Sequence, residues 1–142
     1  MQNNGLQICL IDDDQIYQFA AKKIIESTGL AQRVTAFSNG RDALGYLEKN
    51  AAFSEVLPDV IFVDVNMPLM TGWQFLDAFN SLKTGLAKKV TIYVVSSSVD
   101  ELDITKSKSY HTVSDYIIKP VHKDRFESLL TSLTRGDIFL DR

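Results

Sequence analysis

Residues 60–72 read VIFVDVNMPLMTG, and they describe the passage from a buried strand through a loop into a helix. The run Val60–Val63 is continuously apolar and rich in β-branched side chains, which is typical of a strand covered on both faces. Proline and glycine punctuate the residues that follow, and apolar side chains then recur at helical spacing between Phe75 and Leu82. This stretch therefore predicts one strand-helix unit.

The same alternation of strand and helix recurs on both sides of this unit. Further strand-length apolar runs lie at residues 8–11, 34–37, 91–95 and 116–118. Amphipathic stripes lie at residues 17–28, 43–47, 100–108 and 126–133, of which 100–108 is the weakest, with only Leu102 and Ile104 as apolar anchors. Five such units predict an α/β fold: a flavodoxin-like (βα)5, doubly wound parallel five-stranded sheet with strand order 2-1-3-4-5.

The composition is that of an ordinary globular domain. Of the 142 residues, 45% are hydrophobic and 23% are charged. The 15 Lys and Arg residues against 18 Asp and Glu residues give a formal net charge of -3, so the chain lacks the positive field that binds nucleic acid. The sequence shows no signal peptide, no apolar run near the ~20 residues of a membrane span, and a single cysteine, Cys9. We therefore expect a cytoplasmic protein that binds neither nucleic acid nor a membrane.

Polar residues follow four of the five predicted strands directly, and the carboxyl ends of parallel strands meet at one edge of a sheet. These residues are Asp12–Asp14, Asp64, Ser96–Ser98 and the pair Lys119–Pro120. Each of these has a plainer interpretation. The aspartates could form a helix N-cap, and the serines could form a turn or an N-cap. Lys119 could be a solvated surface lysine, and its bond to Pro120 could be trans rather than cis. Their convergence at one edge favours a functional site.

Carboxylates held close together repel one another, and a cation offsets that repulsion. An all-oxygen set of this kind suits Mg²⁺, which keeps part of its water shell and binds phosphate oxygens. A carboxylate can also attack phosphorus and form an aspartyl phosphate when cations neutralise the phosphoryl oxygens. Asp64 is the candidate nucleophile, and Lys119 is the candidate cationic side chain.

These segments together closely resemble the receiver domain of two-component response regulators, of the stand-alone type similar to chemotaxis regulators. The resemblance lies in ICLIDD at residues 8–13, VIFVDVNMPLMTG at 60–72, VSS at 95–97 and YIIKP at 116–120, in this order and spacing. Two departures are a serine at position 96, where threonine is commoner, and a long connection over residues 49–58. The match covers residues 6–134, which leaves 135–142 as a short C-terminal tail with no output domain.

The resemblance implies a role for each residue of the site. Asp64 corresponds to the phosphoacceptor, Asp13 and the carbonyl of Asn66 to direct Mg²⁺ contacts, and Asp12 to a metal-site residue that acts on the ion through water or through another ligand. Ser96 corresponds to the switch hydroxyl, Tyr116 to the switch aromatic and Lys119 to the phosphate contact.

The function implied is a signalling switch of a two-component phosphorelay. A histidine kinase or a histidine phosphotransfer protein would supply the phosphoryl group, and the fourth helix, fifth strand and fifth helix would signal to a downstream protein or form a phosphorylation-dependent dimer. No multiple-turnover substrate is expected.

Two alternatives stay open. A haloacid-dehalogenase-like Mg²⁺-dependent phosphohydrolase would need a second aspartate where Asn66 stands. A receiver-like module that binds partners without phosphorylation would be favoured only by the loss of one of the site groups.

Overall fold

The computed structural model describes the backbone of residues 5–140 and the side chains of residues 5–134. Five strands form one parallel sheet in the order β2-β1-β3-β4-β5. They are β1 (Leu6–Ile11), β2 (Ala31–Phe37), β3 (Val60–Asp64), β4 (Thr91–Ser96) and β5 (Val113–Ile118). The predicted fold class and strand order are confirmed.

Five helices alternate with the strands and cover both faces of the sheet. They are α1 (Gln15–Ser27), α2 (Gly40–Lys49), α3 (Gly72–Leu82), α4 (Glu101–Lys108) and α5 (Lys123–Leu140). A single 3₁₀ turn at Lys83–Gly85 follows α3, which the apolar periodicity did not indicate. Within residues 5–140, no helix is both long enough and apolar enough to cross a membrane.

Successive side chains of the central strands point to opposite faces of the sheet, so each strand contributes to two hydrophobic cores. On β3, Ile61 and Val63 pack in the core that α2 and α3 complete, whereas Val60 and Phe62 pack in the core that α1 and α5 complete. All five residues of β3 are buried. This double burial explains why the strand reads as a continuous apolar run and fixes Asp64 at its end.

α4 is the least anchored of the helices. Only Ser107 is buried completely, and Leu102, which the sequence suggests as an anchor, is 78% exposed. The expectation for Leu102 is therefore wrong: the leucine lies one position after the first residue of the helix, on the side turned away from the sheet. Of the two expected apolar anchors, only Ile104 is half-buried.

α5 continues to Leu140, past residue 134, which is the predicted end of the domain. Residues 135–140 of the expected tail are thus helical. The side chains of residues 135–140 and the whole of residues 141–142 lie outside the described part of the chain.

Candidate functional site

Asp64 is the last residue of β3, and its surroundings hold it at the carboxyl edge of the sheet. Its side chain is buried, with 7% of the residue exposed, and one carboxylate oxygen accepts a hydrogen bond from the backbone N–H of Asn66 at 3.3 Å. The backbone N–H of Gly72 donates to the carbonyl of Val65 at 3.0 Å. A Cβ atom on Gly72 would collide with the Asp64 carbonyl, so only glycine fits where α3 begins.

The three aspartates after β1 divide into different roles. Asp14 is the N-cap of α1, since its carboxylate accepts from the N–H groups of Ile16 and Tyr17. Asp12 is buried, and its Oδ1 accepts from the N–H of Asp14 at 2.9 Å. The N-cap interpretation is therefore correct for Asp14, and Asp12 and Asp13 are left to form the site.

The Gln18 side chain ties the ends of β1 and β2 together behind these aspartates. Its amide nitrogen donates to the carbonyl of Asp12 at 2.6 Å and to the carbonyl of Phe37 at 2.9 Å. Because Asp12 is held through its backbone and its side chain, its carboxylate has a fixed position.

Lys119 follows β5 and points into the acidic cluster rather than into solvent. Its ammonium nitrogen lies 2.7 Å from Asp12 Oδ2 and 3.6 Å from Asp64 Oδ2. Its backbone N–H donates to the carbonyl of Ser96 at 2.8 Å, and the bond to Pro120 is cis. The interpretation of Lys119 as a solvated surface lysine is thus excluded.

Asp12, Asp13 and Asp64 each offer one carboxylate oxygen, and these oxygens lie within 4.8 Å of one another. In an octahedral ion with bonds of ~2.1 Å, neighbouring ligands lie about 3 Å apart and opposite ligands about 4 Å apart. The distances among the three oxygens are therefore close to those among the ligands of a hard divalent ion. Asp13 is exposed, which gives the cluster an opening to solvent.

The electrostatics of Asp64 reflect both its burial and its neighbours. Burial raises the pKa of Asp64, the adjacent Lys119 ammonium lowers it, and the charge of Asp12 raises it again, with a net upward shift. The charged form is thus penalised when the cluster stands alone, and an added cation would relieve that penalty.

Ser96 and Tyr116 both form hydrogen bonds with Ser98, the last residue of the predicted serine run. Ser96 is completely buried at the end of β4, and its hydroxyl oxygen accepts from the N–H of Ser98 at 3.0 Å. The half-buried Tyr116 donates its hydroxyl to the carbonyl of Ser98 at 2.8 Å. Ser98 in turn donates to the Asp103 carboxylate of α4 at 2.8 Å. Ser96 is therefore connected to α4 through one residue.

Tyr17 is a neighbour of the site that sequence reasoning missed, because its position fits the apolar stripe of α1. The Lys119 ammonium lies 4.1 Å from the centre of the Tyr17 ring. The spacing of Tyr17 in the sequence could have indicated that it neighbours the site. Tyr17 lies one helical turn after Asp13, on the first turn of a helix whose N-terminus faces the cluster.

Comparisons with known proteins agree with this arrangement. Residues 8–131 match the family described as response regulator receiver domain. The protein PilG of Pseudomonas aeruginosa is 32% identical over 124 residues, which cover 87% of this chain and 83% of that protein. The probable methanogenesis regulatory protein FilR2 of Methanothrix harundinacea is 24% identical over 114 residues, 80% of this chain and 72% of that protein.

Among solved structures, a two component response regulator from Cytophaga hutchinsonii superposes with a TM-score of 0.82. It is 26% identical, and the match covers 93% of this chain and 99% of that one. With the sheet order, the acidic cluster and the lysine after β5 in place, these matches establish that the chain belongs to the response regulator receiver domain family.

Proposed function

We propose that this chain is a phosphorylation switch in which Asp64 accepts a phosphoryl group with the help of Mg²⁺. The observation that carries the proposal is the position of the Asp64 carboxylate, buried at the sheet edge, 3.6 Å from the Lys119 ammonium and grouped with two further carboxylates. Incubation with acetyl phosphate and Mg²⁺, followed by intact mass measurement, tests whether one phosphoryl group is added.

In the proposed reaction an Asp64 carboxylate oxygen forms a bond to phosphorus while the bond to the leaving group breaks. Mg²⁺, when bound, supplies positive charge to the phosphoryl oxygens, and Asp12, Asp13, Asp64 and the carbonyl of Asn66 are the groups that would hold it. Lys119 is placed to donate to a phosphoryl oxygen, because its ammonium already lies between Asp12 and Asp64. The product stays covalently attached, so the switch changes state once for each phosphoryl group.

The partners proposed follow from this chemistry. The phosphoryl donor is a histidine kinase or a histidine phosphotransfer protein, and the signal leaves through contacts of α4, β5 and α5 with a downstream protein or with a second copy of the chain. The proposed receiver unit spans residues 6–134.

The Mg²⁺ assignment predicts that Asp13→Asn lowers Mg²⁺ affinity by at least about tenfold. Mutation of a residue that only hydrogen-bonds to a metal ligand typically lowers metal affinity by about this factor, so a direct ligand should have at least this effect. Asp13 is the exposed member of the cluster. Isothermal titration calorimetry measures the affinity directly, and phosphoryl uptake from acetyl phosphate should slow in parallel.

Asp14→Asn is the matched control, because it removes an adjacent carboxylate while asparagine preserves the N-cap of α1. Mg²⁺ affinity in this variant should stay close to that of the wild type. Equal losses in both variants would indicate a general effect of charge and argue against direct coordination by Asp13.

Output is proposed to pass through Ser98. The hydrogen bond from Ser98 uses the Ser96 hydroxyl oxygen as the acceptor, so the hydroxyl proton remains available to a phosphoryl oxygen. A shift of Ser96 toward that oxygen would disturb Ser98, its bond from Tyr116 and its bond to Asp103. Phosphorylation would thereby reach the N-terminal end of α4.

The other end of α4 is held more firmly. The Lys106 ammonium lies 5.1 Å from the centre of the Trp73 ring. Trp73 stacks on Tyr110 at 5.9 Å, and the Tyr110 hydroxyl donates to Asp77 of α3 at 2.9 Å. The expected movement is therefore concentrated between Ser97 and the first turn of α4.

This route predicts that Ser96→Ala uncouples α4 from the site. In the wild type, beryllofluoride, a phosphoryl mimic, should change amide hydrogen exchange over residues 97–108 and at Tyr116. Ser96→Ala should lose most of this change, whereas Ser97→Ala, an exposed serine one position on, should retain it. Changes confined to α1 and α2, or unaffected by Ser96→Ala, would contradict the route.

A further inference from the structure

The hydroxyl of Tyr17 is buried and has no hydrogen-bond partner among the described residues. Buried polar atoms almost always have a partner, and an orphaned hydroxyl costs free energy unless something arrives to satisfy it. The backbone of Tyr17 is fixed, since its N–H donates to the N-cap carboxylate of Asp14 at 3.1 Å. The unpaired hydroxyl is therefore held in place on the first turn of α1.

The ring of Tyr17 already takes part in the site. The Lys119 ammonium sits 4.1 Å from the ring centre while it contacts Asp12 at 2.7 Å. A cation held over an aromatic face at this distance is attracted by it, most strongly where solvent is excluded. The ring thus forms one wall of the place where the ammonium sits.

The charges around Tyr17 keep its hydroxyl protonated. Burial raises the pKa of Tyr17, and the carboxylates of Asp12 and Asp64 raise it further. The hydroxyl is therefore available as a neutral hydrogen-bond donor. A phosphoryl group on Asp64 would bring oxygen acceptors to this side of the cluster.

We propose that Tyr17 is a further member of the phosphoryl site: its ring positions the Lys119 ammonium, and its hydroxyl donates to an oxygen of the group bound at Asp64. The inference rests on the proposed phosphorylation of Asp64. The Tyr17 hydroxyl would be a further, neutral donor supplied by α1. It would act beside the Lys119 ammonium, which follows β5, and the Ser96 hydroxyl at the end of β4.

The test compares Mg²⁺ and beryllofluoride binding to the full chain by isothermal titration calorimetry, the second titration in saturating Mg²⁺. Tyr17→Phe keeps the ring and should leave Mg²⁺ affinity unchanged while lowering beryllofluoride affinity by about tenfold, the loss of one hydrogen bond to a charged group. Tyr17→Leu also removes the aromatic face and should lower beryllofluoride affinity by roughly a further threefold to tenfold.

Tyr46→Phe is the control, since it removes a tyrosine hydroxyl that donates to the Val56 carbonyl on another part of the domain. Its beryllofluoride affinity should equal that of the wild type. Wild-type affinity in Tyr17→Phe would overturn the role of the hydroxyl, and equal affinities in Tyr17→Phe and Tyr17→Leu would overturn that of the ring. A wild-type protein that binds no beryllofluoride would overturn the proposed function itself, which separates the two failures.

Discussion

Asp64→Asn is expected to take up no phosphoryl group from acetyl phosphate in the presence of Mg²⁺, whereas the wild type gains one. The amide lacks the charged oxygen that attacks phosphorus. Asp12 also lies beside Lys119, but its Oδ1 accepts from the N–H of Asp14 and its Oδ2 lies 2.7 Å from the Lys119 ammonium, so both of its oxygens are already engaged. Intact mass measurement over a time course gives the result. The variant should stay folded, because an amide carries no charge for burial to penalise.

Asp59→Asn is the matched control for this loss. Asp59 directly precedes β3 at the opposite edge of the sheet, where it pairs with Lys88 at 2.9 Å and accepts from the N–H of Gln7 at 2.7 Å. This variant should take up the phosphoryl group at the wild-type rate. Uptake by Asp64→Asn under the same conditions would place the acceptor on another residue.

Gly72→Ala is expected to destabilise the fold by about 3 kcal/mol and to slow phosphoryl uptake. The added methyl group would meet the carbonyl of Asp64 and the Cα of Val65, which are backbone atoms that can yield only if the end of β3 moves. Chemical denaturation should show a lower midpoint with an unchanged slope.

Gly45→Ala is also a glycine-to-alanine substitution, but it is expected to stabilise the fold. Gly45 lies in the exposed interior of α2, and a methyl group there meets no atom within 4 Å. Alanine should raise the free energy of unfolding by about 0.5–1 kcal/mol, since it favours the helix over the unfolded chain. Equal stability changes at the two positions would show that the approach of α3 to β3 is looser than the structure indicates.

The strands were predictable because the central ones are buried on both faces, which makes runs such as Val60–Val63 apolar at every position. α4 was predictable in extent but not in orientation. Its apolar residues are too few to define a face, and Leu102 turned outward, while Ser107 was buried. The long connection over residues 49–58 was predicted, whereas the 3₁₀ turn after α3 carries no periodic pattern from which it could be inferred.

The candidate site followed from one topological rule, that residues after parallel strands share an edge. That rule brought Asp12, Asp64 and Lys119 together from three distant parts of the sequence. It could not find Tyr17, which reaches the site from a helix. It included Ser98, but it did not indicate that this residue acts through its backbone carbonyl and N–H as well as its hydroxyl. Backbone groups are the same in every residue, so sequence patterns do not reveal them.

The sparse packing of α4 determines how much free energy is needed to move this helix. A helix that buries a single serine completely gains little hydrophobic free energy from its position. One hydrogen bond to a charged group contributes about 1.5–3 kcal/mol, and about 1.4 kcal/mol changes a population ratio tenfold. We therefore expect the energy of one new hydrogen bond to be enough to shift the weakly packed start of this helix. A helix with a full apolar stripe would hold a single population against the same input, so we expect the poor packing of α4 to be what allows it to respond.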